Sequence, residues 1–106
     1  MSMENKHYQL LPLEFDGKGK SQQGFRFEQD VREGDAAVYR KTDTESLRVY
    51  WEVIKVLRTE EAERKIGGKD VHFEAKERYP SDKEWGDKGW SYGTRERAME
   101  KFRELL

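Results

Sequence analysis

From Leu47 to Leu57 the chain reads Leu-Arg-Val-Tyr-Trp-Glu-Val-Ile-Lys-Val-Leu, its densest run of β-branched and aromatic residues. Side chains of a strand alternate between two faces, so Val49, Trp51 and Val53 point one way and Tyr50, Ile54 and Val56 the other. Both faces are apolar, interrupted once each by Glu52 and Lys55. That pattern predicts a strand in the middle of a sheet with a layer covering each side, because a half-exposed strand would alternate cleanly.

Around this strand the pattern predicts a meander. Phe25, Phe27 and Val31 alternate with Arg26, Glu28, Asp30 and Arg32, and Glu33-Gly34-Asp35 supplies a turn before Ala36 to Lys41, which makes a hairpin. The polar loop Thr42 to Ser46 then leads into the central strand. Thr59 to Gly68 has an N-cap threonine, acids first, bases last and glycine beyond, and is read as a short helix or a structured loop. Val71, Phe73 and Ala75 alternate with His72, Glu74 and Lys76 as a half-buried strand. Ser81 and Glu84 have the spacing of a capping box, closing one helical turn at Trp85-Gly86. Gly89 to Gly93 adds a brief edge strand. Thr94 caps the one extended helix, in which Ala98, Met99, Phe102, Leu105 and Leu106 form a stripe among seven charged residues.

The predicted fold is α+β: a small three- to four-stranded, mainly antiparallel sheet with a C-terminal amphipathic helix packed on one face. Residues 25–106 form the single domain. Residues 1–24 form an N-terminal arm and flexible linker. The first seven residues are read as loose. Tyr8 to Phe15 is too apolar for water, yet Pro12 rules out a central strand or a continuous helix. It is either an extended arm or edge strand on the domain, or a docking segment for a partner. Asp16 to Gly24 has linker composition.

Composition narrows the functional classes. Of the 106 residues 41% are charged and 34% hydrophobic, so few are left to line a deep catalytic cavity once a core is filled. Thirteen aromatic residues partly compensate. The 21 basic and 22 acidic side chains are interleaved, for a formal net charge of -1, so charge alone does not call for nucleic acid or an anionic membrane. There is no cysteine, hence no disulfide framework, thiolate metal site or cysteine nucleophile. No run approaches a signal peptide's apolar core or the ~20 residues of a membrane span, and a soluble, cytoplasmic protein is expected.

Few residues carry recognisable chemistry. Glu74-Ala75-Lys76 has the Glu-x-Lys spacing of metal-dependent nucleases, but acid-x-Lys recurs at Glu4, Asp16 and Glu63, as expected in so charged a chain. Asp70, His72 and Glu74 share a strand face at ~7 Å intervals, too far apart to converge on one ion, and read as a solvated face. No glycine cluster has phosphate-loop spacing. No cofactor, metal or catalytic residue is predicted, and the protein is expected not to be an enzyme. What stands out is Tyr79, Trp85, Trp90 and Tyr92 interspersed with Arg78, Lys83, Lys88 and Arg95. Such rings fill a core short of aliphatics, anchor a protein partner, or stack bases beside phosphates. Asp82, Glu84 and Asp87 dilute the basic character, so a protein partner is favoured over nucleic acid.

Glu77-Arg78-Tyr79-Pro80-Ser81, Trp85-Gly86, Gly89-Trp90-Ser91-Tyr92 and Ala98 with Phe102 resemble a pattern in small uncharacterised proteins of bacteriophages and bacterial mobile elements. The resemblance covers roughly the last 60 residues and implies a small accessory protein without assigned activity. A second likeness is to the WGR domain of DNA-repair proteins, where a strand similar to Tyr50 to Val56 precedes a Trp-Gly-Arg motif and a helix with Ala and Phe four apart. Asp87 stands here at the arginine's place. The expected role is a non-enzymatic accessory or adaptor protein that binds another protein through Trp85 to Tyr92 or through the Tyr8 to Phe15 arm. The alternative is a nucleic-acid-binding module using the same aromatic and basic residues.

Overall fold

The computed structural model describes residues 7–106. The polar start expected to be loose therefore lies, except for His7, outside the described residues. Strands β1 (Glu14–Asp16), β2 (Phe25–Glu33), β3 (Ala36–Asp43), β4 (Val49–Lys55), β5 (Leu57–Thr59), β6 (Ala62–Ile66), β7 (Lys69–Phe73), β8 (Lys76–Arg78) and β9 (Gly89–Tyr92), with a single 3₁₀ turn at Asp82–Glu84 between β8 and β9, precede one α-helix, α1 (Arg95–Glu104). The main sheet runs β1-β2-β3-β4-β9, antiparallel throughout, with β4 interior as its two apolar faces require.

This sheet has five strands, not the three or four expected. The extra one is β1, from the arm, pairing Glu14, Phe15 and Asp16 with Glu28, Phe27 and Arg26. It is too short for its periodicity to show, and Phe15 alone supplies its apolar anchor. A second correction concerns Thr59 to Gly68. Instead of a helix or loop, β6 and β7 form a ribbon turned by Gly67 and Gly68, at φ 61° and 80°. Two positive φ values in a two-residue connection suit the twist of a hairpin, and glycine adopts them without steric cost. Acids followed by bases fit a helix end equally well, but only Ala62 and Ile66 are apolar there, too few for a stripe.

Each face of the sheet is covered. On one, Val38 and Val53 meet Ala98 and Phe102 of α1, with Val31, Trp51, Trp90, Tyr92, Met99 and Leu105 around them. The Thr94 hydroxyl accepts from the Arg97 N–H at 3.3 Å, the expected cap, while Leu106 lies past the end of α1 and stays exposed. On the other face Phe27, Ala37, Tyr39, Ile54 and Val56 are closed over by Leu11, Phe15, Tyr79 and Trp85. Phe27 and Val31 thus lie on opposite faces, contrary to simple alternation. The register of β2 slips between Gln29 and Val31, so Gln29 opposes Tyr39 and Val31 opposes Val38, leaving Asp30 as the extra residue of a bulge. No helix among the described residues is long and apolar enough to cross a membrane.

Candidate functional site

The covered face opposite α1 is built around one buried charge. Glu52, 2% exposed, sits where alternation aims it into the layer of rings. Its carboxylate accepts from Tyr79 Oη at 2.7 Å, from Lys41 Nζ at 3.2 Å and from Ser91 Oγ at 3.2 Å. Ser91 is its cross-strand partner on β9 and in turn accepts from Trp85 Nε1 at 3.2 Å. Lys41 Nζ also lies 4.3 Å above the Phe25 ring. Every oxygen is paired, as a buried carboxylate requires. Burial, reinforced by the Glu52 charge, pushes the Tyr79 phenol well above its usual range, so it stays a donor.

The eight residues singled out from the sequence do not form one surface. Tyr79 and Trp85 stack with ring centroids 6.3 Å apart on the Glu52 face. Trp90 and Tyr92 lie on the helix side, where Lys101 Nζ caps the Trp90 ring at 4.2 Å. Position explains the division: Trp90 and Tyr92 face Val53 and Trp51 across the β4–β9 ladder, whereas Trp85 precedes β9 and folds back over Gly89. A Cβ on Gly89 would lie 2.4 Å from the Trp85 ring, so only glycine fits beneath it.

The four basic members are mostly spoken for. Arg78 makes a bidentate pair with Glu84 at 2.7 and 3.0 Å, which with the Ser81 contacts holds the Glu84 carboxyl down at about 2. Arg95 Nε donates to Asp30 at 2.7 Å, and Lys88 lies 4.0 Å from Asp87. Only Lys83 of the four has no ion pair among the described residues.

Two further clusters were missed or misplaced in the sequence. Glu77, 6% exposed, accepts from Arg32 at 2.6 Å on both oxygens, from Arg58 at 3.3 Å and from the Leu11 N–H at 3.0 Å. Its carboxyl is held below the usual range, chiefly by Arg32, and Asp35 likewise by Arg58. On the β6–β7 ribbon His72 Nε2 faces Glu61 at 3.2 Å and Glu74 at 3.3 Å, and Nδ1 meets Glu63 at 2.6 Å. The structure therefore groups His72 with Glu74 and Glu61, not with Asp70, and among the described residues these three have ligand atoms close enough to share an ion. All are exposed, and the surrounding carboxylates, Glu63 first, raise the imidazole pKa.

A cavity of about 330 Å³ lies beside the stacked rings, lined by Phe15, Phe27 and Tyr79 together with residues 17–22 and 80–82. The sequence pairs these segments in no visible way, since Ser21 and Asp82, which hydrogen-bond at 2.8 Å, are 61 positions apart. No protein family, curated protein or solved structure matches the chain.

Proposed function

We propose that this chain is a non-enzymatic accessory or adaptor module that holds a protein partner on its arm, at the open edge of the main sheet. The reading is carried by Leu10 and Leu13, which are 69% and 68% exposed on a backbone that is fixed. Gln9 bonds to Ala75 and Glu77, Leu11 to Glu77, Pro12 to Tyr39 and Leu13 to Gln29, at 2.7–3.0 Å. Leu11 between them is buried. Two leucines are thus presented to water by an anchored segment, as interface anchors are. The rings first suspected of that role are engaged in the two cores.

β1 has a neighbour on one side only, so an extended segment of the partner can add to its outer edge by main-chain hydrogen bonds. Glu14 and Asp16 flank that edge, both paired with Arg26, and favour a partner strand with apolar positions for the leucines and basic residues opposite the acids. The test is affinity capture with the wild-type chain, a Leu10→Asp/Leu13→Asp variant and a Lys69→Glu control. The expected result is a captured protein lost with the double variant, kept with the control, and protecting the Glu14 to Asp16 amides from hydrogen exchange. Equal capture by all three chains, or a double variant whose melting temperature collapses, removes the arm as the interface.

A further inference from the structure

We propose that Glu61, His72 and Glu74 hold a divalent transition-metal ion, with zinc the best fit, where the β5–β8 and β6–β7 ribbons meet. The inference is independent of the arm's role as an interface. Backbone pairing brings the ligands together. Thr59 pairs with Lys76 and Ala62 with Phe73, so the two ladders share one register, interrupted only at 60–61 and 74–75. That register sets Glu61 opposite Glu74. Two carboxylates directly across a ribbon repel each other, and a cation between them turns the repulsion into attraction.

An imidazole nitrogen supplies the second observation. Two steps further along the register, Glu63 and His72 pair on the same face, and the Glu63 carboxylate lies 2.6 Å from His72 Nδ1. A separation that short needs a proton between the two atoms, so Nδ1 carries it and the neutral ring leaves a lone pair on Nε2. Nε2 lies 3.2 Å from Glu61 Oε2 and 3.3 Å from Glu74 Oε1. Charge-assisted hydrogen bonds are shorter, about 2.7–2.9 Å. Of the three carboxylate contacts of His72 among the described residues, only that of Nδ1 has hydrogen-bond geometry. A lone pair beside two anionic oxygens, on a ring whose other nitrogen is held by a carboxylate, is the arrangement of a metal-ligating histidine.

The distances select the metal. Zinc bonds histidine nitrogen and carboxylate oxygen at about 2.0–2.2 Å in a tetrahedron, whose edges are then about 3.3–3.5 Å long. Both separations from Nε2 are close to such an edge. All three ligand atoms lie within 4.8 Å of one another, so small rotations of exposed side chains complete the triangle. Carboxylates alone would suit magnesium or calcium, and the imidazole moves the preference to zinc. Water takes the fourth position, and a cavity of about 230 Å³ lined by Glu61 and Glu74, with His7 and Ala75, leaves room beside the carboxylates. Asp70 stands outside the set although it shares the strand face.

The test is calorimetric titration of the full chain with zinc and, separately, with calcium, followed by nitrogen NMR of the His72 ring. The expected result is a single equivalent of zinc bound with a dissociation constant below about 100 μM, and calcium at least about tenfold weaker. Zinc should shift the Nε2 resonance while Nδ1 keeps its proton. His72→Ala and Glu61→Gln/Glu74→Gln, all on exposed side chains, should each lower zinc affinity at least about tenfold, with the melting temperature of the metal-free chain little changed. Asp70→Asn removes a carboxylate from the same face and should change affinity less than about twofold. No saturation at about 1 mM zinc, calcium binding as tightly as zinc, or His72→Ala binding as tightly as the wild type would each overturn the site. So would Asp70→Asn weakening zinc as much as Glu61→Gln/Glu74→Gln, since that is diffuse attraction to an acidic face.

Discussion

At the residue scale the structure spends free energy where folding gains nothing. Leu47 sits in the loop between β3 and β4 at φ 63°, the non-glycine residue with a left-handed backbone among those described, and its side chain is 71% exposed. A leucine there has a Cβ clash that glycine lacks and almost no burial to offset it. Leu47→Gly should therefore stabilise the fold by about 0.5–1 kcal/mol, the relief of strain exceeding the added freedom of the unfolded chain. A urea midpoint that rises with an unchanged slope would show it, and a midpoint that falls would mean that the leucine packs more than its exposure indicates. Glu52 illustrates the opposite balance. It is a charge in the middle of a central strand, and its three partners come from β3, β9 and the segment after β8. From sequence it was a blemish in an apolar face, while in the fold it ties the strand's neighbours together.

At the scale of elements, the bulge in β2 absorbs a single extra residue. Deleting Asp30 would remove the bulge and leave Gln29 opposite Tyr39 and Val31 opposite Val38, so that a strictly alternating strand keeps Val31 toward α1 and Arg32 toward Glu77. The deletion should therefore cost no more than about 1–2 kcal/mol, from the changed local twist and the lost pair with Arg95. Asp30→Ala, which removes only the exposed pair with Arg95, should cost about 0–1 kcal/mol. A urea midpoint for the deletion far below that of Asp30→Ala would show that the bulge itself, and not the register on either side of it, holds the strand. This is also where legibility in the sequence ends. Val49 to Val56 and Ala98 to Leu105 announce a central strand and a packed helix, because apolar spacing is itself the physical cause of those elements. A bulge has no spacing signal of its own, since Asp30 is one more charged residue in an alternating run. Gly67-Gly68 was legible as the end of an element and was read as a helix terminus, because a helix cap and a hairpin turn ask for the same residue. β1 owes its place to backbone pairing, which side-chain periodicity does not record. The aromatic cluster was half legible: two-residue spacing puts Trp90 and Tyr92 on one face, yet nothing in Tyr79 or Trp85 says that they close the other. The cavity needs residues 17–22 and 80–82 together, and only the fold brings them there.

At the scale of the whole molecule, Glu77 joins parts that the sheet alone does not. It holds Leu11 of the arm, Arg32 at the end of β2 and Arg58 of β5, and Arg58 reaches on to Asp35 in the β2–β3 turn at 2.7 and 2.9 Å. Its folded-state pKa lies below the unfolded value, as do those of Asp35 and Glu84. Carboxyls of that kind contribute stability that is fully present above their unfolded values, about 4, and that is lost as pH falls through the folded ones. His72 has the opposite sign: its raised pKa contributes below its unfolded value and the contribution disappears as pH rises through the folded one. Stability should therefore fall steeply from about pH 4 downward, over the range in which Glu77, Asp35 and finally Glu84, near 2, take up protons. Glu77→Gln removes the charge and leaves two arginines facing each other. Because both are partly exposed, the loss at pH 7 should be about 2–3 kcal/mol, less than for a fully buried pair. The gap between wild type and variant should narrow as the wild-type carboxyl protonates in acid, and a gap that stays constant from pH 7 to about 2 would place the stabilising charge elsewhere. The same variant leaves the Leu11 N–H a neutral amide oxygen in place of a carboxylate, a weaker acceptor, so the arm should exchange its amides faster before the rest of the sheet does. In that order of exchange the arm, its exposed leucines and the Glu77 cluster act as one unit.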